Sequence, residues 1–370
     1  MKEIQNIINK AATLSHGEKA ILATVVSVAG SGSRRPGARM LIGENGYSIG
    51  TVSGGCLEAD VLERAKKVLQ TGEPTVITYD TTADENSVFG LSMGCRGIVR
   101  ILLEPFEISS GFYKTLIDTF TNRIAKCIGT IVSATNEEKI GGRVFYNQKG
   151  EFKFENVPET ISDSVELKSD IEKFYERGEV SEIRNYKFGE IVYEIFFENI
   201  APPLDLLLFG AGYDALPLIK FAKEIGWRVT AIDHRPAFAN AERLTDADKI
   251  IVLNSEDLSE RIFQDENSVA VIMTHNYERD RNILRLLLNS KCRYVGALGP
   301  KKRTEKLLAE IGENFSDEQL SKLHAPIGLD IGADSPEAIA LAIVAEIQSV
   351  LKNRAGGFLR ERQGSIYDRD

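Results

Sequence analysis

Between Leu204 and Asp233 the rhythm of apolar and polar positions changes three times. Leu204–Phe209 is a short unbroken apolar run, long enough for a buried parallel strand and too short for a helix. Gly210-Ala211-Gly212 turns the chain. From Tyr213 the apolar residues recur at Leu216, Ile219, Phe221 and Ile225, a helical spacing that Gly226 stops. Arg228–Asp233 is a second apolar run that ends in an acid. Strand, Gly-x-Gly-x-x-Ala, helix, strand, Asp is the dinucleotide-binding fingerprint in its structural setting. Gly210 and Gly212 let the backbone approach a pyrophosphate on the helix N-terminus, and Ala215 stands in the third glycine's place. Asp233, about twenty residues on, can accept hydrogen bonds from a ribose. Two residues complicate the site: Asp214 in the first helical turn would repel a phosphate, and Arg235 leaves room for a 2′-phosphate.

Beyond Asp233 strands and helices keep alternating. Strands are expected at Lys249–Leu253, Val269–Thr274, Arg293–Leu298 and near Pro326–Ile331, and helices at Tyr277–Leu288, Lys301–Ile311 and Pro336–Leu351. That pattern predicts a doubly wound parallel sheet of about six strands, with its site beyond the strands' carboxyl ends. The residues so placed are Asp233, His275, Gly299 and the Gly328–Asp334 loop. His275 is a candidate acid or nucleophile, or else a loop histidine that caps backbone.

The N-terminal half has a different texture. An opening helix over residues 4–14 precedes a buried strand at Ala20–Val28, a loop Gly-Ser-Gly-Ser-Arg34-Arg35-Pro-Gly, and a strand at Arg39–Ile42. Backbone N–H groups, hydroxyls and two guanidinium groups in one loop make a plausible anion cradle, or an ordinary flexible connection. Asn45-Gly46 signals a hairpin, and Tyr47–Val52 returns as a strand. Ser53-Gly54-Gly55-Cys56-Leu57-Glu58 then leads into a helix with its apolar face at Val61, Leu62, Ala65, Val68 and Leu69. Cys56 thus sits at a helix N-terminus, where the positive dipole end favours a thiolate, with Glu58 in the same turn, and both are candidate catalytic residues. A small buried thiol on a tight turn is the plainer alternative. Thr75–Tyr79 and Ile98–Leu103 are further strands, and Cys95 lies on a second glycine turn, Met-Gly-Cys-Arg-Gly. Strands and turns recur from Lys126 to Phe154 and over Tyr186–Phe197, around a charged helical stretch near 160–178, and are expected to complete the first domain. Pro202-Pro203 marks a stiff boundary.

Composition narrows the partners. The 370 residues are 43% hydrophobic, and 45 Lys and Arg against 54 Asp and Glu give a net charge of −9. A net acidic chain without a basic block argues against nucleic acid and membrane surfaces as partners. The N-terminus carries no secretory pattern and no run is long enough to span a membrane, so a cytoplasmic protein is expected. Cys56, Cys95, Cys127 and Cys292 are scattered without a Cys-x-x-Cys pair, which suggests reduced thiols. Cys127 in an apolar strand and Cys292 at the edge of one should be inert.

Taken together, GSGSRRPGARMLI, SGGCLEADV, MGCRGIVRILLEP, LLLFGAGYDALPL, TAIDHRPAFA, MTHNYERD, YVGALGPKKR and APIGLDIGADSPEAIALAIVAEI resemble the XdhC/CoxI family, the accessory factors of xanthine dehydrogenase and related molybdenum hydroxylases. The resemblance implies a protein that binds the molybdenum cofactor (molybdopterin), assists exchange of an oxo for a sulfido ligand and delivers it to an apo-hydroxylase. The partners it implies are that xanthine dehydrogenase-type hydroxylase and a cysteine desulfurase; a homo-oligomer is also expected. By position, Cys56 and Cys95 would be the thiols nearest the metal, with Arg34, Arg35 and the Gly54-Gly55 turn near the pterin phosphate. An NAD(P)-dependent oxidoreductase using Cys56 or His275, and a nucleotide-sensing regulatory module, are the competing functional readings. The expected organisation is an N-terminal α+β domain over residues 1–200, a Rossmann-like domain over 201–352, and a tail over 353–370.

Overall fold

The computed structural model describes residues 2–15, 17–30, 33–80, 97–136, 138–253 and 265–363. Cys95, Ser31 and Gly32 lie outside them. The chain divides into two compact units, Met1–Pro202 and Pro203–Asp370.

The first unit opens with α1 (Lys2–Ala11), β1 (Ala20–Gly30), β2 (Arg39–Gly43), β3 (Ser48–Gly50), α2 (Glu58–Thr71), β4 (Thr75–Asp80) and β5 (Gly97–Phe106). It continues with α3 (Gly111–Asn122), β6 (Lys126–Ala134), β7 (Arg143–Asn147), β8 (Phe152–Glu155), α4 (Glu159–Ser162), α5 (Val165–Arg177), β9 (Ser181–Phe188) and β10 (Ile191–Ile200). The strand expected over Tyr47–Val52 contracts to β3, which ends at Gly50 with φ +89°, outside the extended region.

The middle strands do not extend the first sheet; they build a second one that repeats it. The strand orders are β3-β2-β1-β5-β4 and β8-β7-β6-β10-β9, all antiparallel, so each strand of one half has a counterpart in the other. The register agrees residue by residue: Thr24 pairs with Arg39 and Thr130 with Arg143. Each first strand carries a bulge at the same place, Val26 in one and Val132 in the other. α2 buries Val61, Ala65 and Val68 and stops at Gly72; α5 buries Leu167, Ile171 and Phe174 and stops at Gly178, both glycines left-handed.

The two sheets share their inner faces. Leu22, Leu41 and Phe106 meet Ile128, Phe145 and Ile200, while Val26 and Leu102 meet their counterparts Val132 and Phe196. α2 covers the outer face of one sheet and α5 that of the other. Buried ion pairs cross between the halves reciprocally. Arg39 pairs with Glu198, and Arg143 with Glu104, its mirror. Each arginine also donates to a glycine carbonyl two residues back, Arg39 Nη1 to Gly37 at 2.9 Å and Arg143 Nη1 to Gly141 at 3.2 Å. Both guanidinium groups lie on the Phe112 ring, 5.2 and 4.5 Å from its centroid.

The second unit holds β11 (Asp205–Phe209), α6 (Ala215–Glu224), β12 (Arg228–Asp233), β13 (Lys249–Val252), β14 (Ser268–Ile272), α7 (Tyr277–Leu288), β15 (Tyr294–Ala297), α8 (Lys301–Ile311), α9 (Asp317–Ser321), β16 (Leu323–His324) and α10 (Pro336–Leu351). Its six strands are parallel in the order β13-β12-β11-β14-β15-β16, the doubly wound order that reverses between β11 and β14. α6 and α10 pack one face, and α7 and α8 the other. The fold is therefore α/β, a Rossmann-like sheet joined to an α+β unit. The last strand is displaced from Pro326–Ile331 to Leu323–His324, because Pro326 has no N–H to continue a ladder. α10 starts as its sequence dictates, with Ser335 Oγ accepting from Ala338 N at 3.2 Å and Pro336 in the first turn.

Candidate functional site

In the first unit the structure brings the arginine loop to the Ser53–Cys56 turn. A Cβ added to Gly54 would stand 3.4 Å from the Ser33 side chain, so the two loops are in contact distance at that point. Arg34 Nε donates to Thr51 O at 3.1 Å, and its Nη2 pairs with Glu3 on α1. Glu3 also accepts from the Arg39 backbone N at 2.6 Å, so one carboxylate from the first helix fixes both ends of this loop. Arg34 and Arg35 are half-buried.

Cys56 is exposed on this turn, ahead of Leu57, the N-cap of α2. Its neighbour Glu58 is fully engaged. The Glu58 carboxylate accepts from Ser53 N at 2.8 Å and Gly55 N at 3.0 Å, and from the hydroxyls of Ser53 and Thr51. Ser53 Oγ in turn accepts from Leu57 N at 3.0 Å. Burial pushes the Glu58 pKa up, but these hydroxyl and amide donors outweigh it and hold the carboxyl at about 2. A carboxylate that is ionised and satisfied on every side cannot exchange protons near neutral pH. Glu58 therefore acts as the clamp that shapes the turn, taking up the Ser53 and Gly55 amides. Gly55, at φ +107°, supplies the left-handed step the turn needs.

Cys127 and Cys292 are buried, and burial raises both thiols above the ordinary range. Among the described residues no group of three or more His, Cys, Asp and Glu is placed to hold a metal ion. No helix among them is long and apolar enough to cross a membrane.

In the second unit the glycine turn lies at the reversal point of the sheet. Gly210, with φ +110°, is demanded by the fold itself: a Cβ there would fall 2.3 Å from Met273 O, at the end of β14. A Cβ on Gly212 would fall 2.6 Å from Asp214 Oδ1. Ala215 is fully buried in the core under α6, where it packs the helix on the sheet.

Asp233 is 5% exposed and turned inward. Its carboxylate accepts from Ala211 N at 2.8 Å, Arg235 N at 2.9 Å, and Arg235 Nε and Nη2 at 3.0 and 2.8 Å. Burial raises its pKa, but Arg235 and the Ala211 amide outweigh that and bring it to about 2. A ribose would reach this acid only by displacing Arg235. Across the turn, Asp214 meets His275, Oδ2 to Nε2 at 2.8 Å, and His275 sits in the left-handed region at φ +57°. This acid–histidine pair stands over the end of the glycine turn where a phosphate would approach. Arg243, between Tyr213 and Phe238 at 5.0 and 4.6 Å, borders the same turn.

A Rossmann sheet joined to an α+β unit that displays a cysteine on a clamped glycine turn defines a two-part protein class. Family models agree: residues 206–347 match the XdhC Rossmann domain and residues 13–80 the XdhC and CoxI family. A probable xanthine dehydrogenase subunit from Bacillus subtilis (strain 168) is 30% identical over 93% of this chain and 97% of its own length. The chain belongs to the XdhC and CoxI family. The molybdenum cofactor insertion chaperone PaoD of Escherichia coli (strain K12) is 22% identical over 91% of this chain and 85% of its own. A crystal structure of a xanthine dehydrogenase from Bacillus halodurans superposes with a TM-score of 0.76 at 28% identity, covering 96% of this chain and 97% of that one.

Proposed function

We propose that this protein is an accessory factor that binds molybdenum cofactor as cargo, assists its sulfuration and hands it to a xanthine dehydrogenase-type hydroxylase. The observation that carries the reading is the meeting of an exposed thiol turn with an arginine loop in a member of this family. Cys56 is a soft donor suited to a molybdenum–dithiolene centre, and Arg34, whose Nε and Nη2 are held by Thr51 and Glu3, would turn its remaining donors with Arg35 to the pterin's phosphate. Cys56 is the described thiol there, and the metal would arrive within its own pterin ligand. Cys95 is kept as the second thiol by its sequence motif alone. Glu58 positions the Cys56 turn.

The NAD(P) role expected of the glycine turn takes a changed form. A nucleotide at Gly210–Ala215 would meet the Asp214–His275 pair and Arg235, with Asp233 behind Arg235 as its support. A cysteine desulfurase is the proposed sulfur source. The test is metal and pterin analysis of protein purified from cells that make molybdenum cofactor. Near-stoichiometric molybdopterin, lost in the Arg34→Ala/Arg35→Ala variant, is expected; wild-type protein free of pterin would overturn the reading.

A further inference from the structure

The two halves of the first unit finish their outer strands differently. β4 and β9 are equivalent edge strands, each paired on one side only among the described residues. Their registers against β5 and β10 align Thr75, Val76, Ile77 and Thr78 with Glu182, Ile183, Arg184 and Asn185. An unpaired strand edge is a template for another chain, and charge is the usual way to blunt it. β9 is blunted in this way. Glu182 accepts from Arg184 Nε at 2.5 Å and from Arg177 Nη2 at 3.0 Å, and Arg184 pairs with Asp170 at 2.9 Å. β4 carries none of this: Thr75 and Ile77 replace Glu182 and Arg184, and its first four residues are uncharged and β-branched, the composition that pairs most readily.

A cleft of about 990 Å³ follows that edge. Side chains alternate across a strand, so a cleft touched by the consecutive residues Thr75, Val76, Ile77 and Thr78 runs along the backbone edge and not over one face. The far wall comes from the second half, including Ser133, Lys139 and Asn156. Four cations line the cleft against the single carboxylate of Glu73. Arg64 and Arg100 are matched by Asp60 and Glu194. Lys67 and Lys139 have no carboxylate partner among the described residues; Lys139 Nζ donates only to Asn156 Oδ1, at 3.1 Å.

We propose that this cleft takes an extended acidic segment of a partner protein, which adds as a strand to the β4 edge. Main-chain hydrogen bonds to β4 would supply the affinity, and Lys67 and Lys139 would select carboxylates on the incoming strand. The proposal does not depend on what cargo the Cys56 turn holds.

The test uses the full-length chain and a short fluorescent peptide that alternates valine and glutamate, with a valine–lysine peptide as control and tripolyphosphate as competitor. The acidic peptide should bind saturably, weaken with salt, and slow amide exchange over Thr75–Thr78; the basic peptide should not bind. Thr75→Glu, which installs the residue β9 carries, and Lys67→Glu with Lys139→Glu should each weaken binding roughly tenfold or more while leaving the melting temperature unchanged. Three results would overturn the proposal. One is no saturable binding, or equal binding by wild type and both variants. Another is a small-anion site, shown by displacement with tripolyphosphate and no protection of β4. The third is self-association, shown by β4 protection that rises with protein concentration in the absence of peptide.

Discussion

Arg100 and Glu194 occupy equivalent positions in the two halves of the first unit and pair with each other, Nη2 to Oε2, at 2.6 Å. A residue that meets its own counterpart lies on the axis relating the halves, as in an isologous dimer interface. Off that axis the reciprocal pairs Arg39–Glu198 and Arg143–Glu104 bind each half to the other. The first unit is thus built like a two-fold dimer fused into one chain, with the thiol turn carried by the first half.

Because the buried pairs cross between halves, breaking either should weaken the whole unit. Glu198→Gln leaves the buried Arg39, and Glu104→Gln the partly buried Arg143, without its carboxylate, at a cost of about 3–5 kcal/mol for a fully buried pair. Urea unfolding followed by circular dichroism should show comparable losses for the two variants, with both halves melting together. Independent transitions for the two halves would contradict the fused-dimer architecture.

Acid should unlock both candidate sites. Glu58 and Asp233 have carboxyls held at about 2, below their ordinary values of 4.5 and 3.8. A depressed carboxyl contributes stability that is complete above its ordinary pKa and is lost as pH falls toward the folded value. Stability should therefore decline between about pH 4.5 and 2, and Glu58→Gln and Asp233→Asn should each flatten part of that decline. Denaturant titrations across that range measure it; slopes identical to wild type in both variants would refute the assignment.

Thiol labelling should separate the cysteines. Cys56 is exposed, whereas Cys127 and Cys292 are buried with raised thiol pKa values. In native protein a thiol reagent should modify Cys56 before Cys127 or Cys292, and Cys56→Ser should remove the labelled peptide that carries position 56. Mass spectrometry of the labelled peptides reads the order directly.

Gly210→Ala should destabilise the second unit with no ligand present. The new Cβ would collide with Met273 O, and its φ of +110° is one that alanine adopts poorly. A drop in melting temperature of the ligand-free protein is expected. Unchanged stability with lost nucleotide binding would instead restore Gly210 to a purely ligand-facing role.

The second unit was legible because its signal is local. Apolar run, glycine turn, helical spacing and terminal acid lie within one stretch from Leu204 to Asp233 and match β11, α6 and β12. What local pattern could not show is that Arg235, two residues past the acid, folds back and takes its carboxylate. The repeat in the first unit is written more faintly. Thr24-x-Val26-Ser27 echoes in Thr130-x-Val132-Ser133, Gly37-x-Arg39 in Gly141-x-Arg143, and Glu104 in Glu198. These few matches are spread from Thr24 to Glu198, and their meaning is a reciprocal set of ion pairs that only tertiary structure closes. Cys56 was visible as a thiol on a glycine turn. The clamp role of Glu58 depends on Thr51 and Ser53 reaching one carboxylate, which spacing alone does not determine.

The most direct measurement of the proposed function is activation of an apo-hydroxylase in a reconstituted mixture with molybdenum cofactor and a cysteine desulfurase. Wild-type protein should yield sulfido-loaded, active hydroxylase. Cys56→Ser should fold normally, retain molybdopterin and fail to activate. Full activation by Cys56→Ser, with molybdopterin retained, would contradict the account and leave Cys56 without a chemical role.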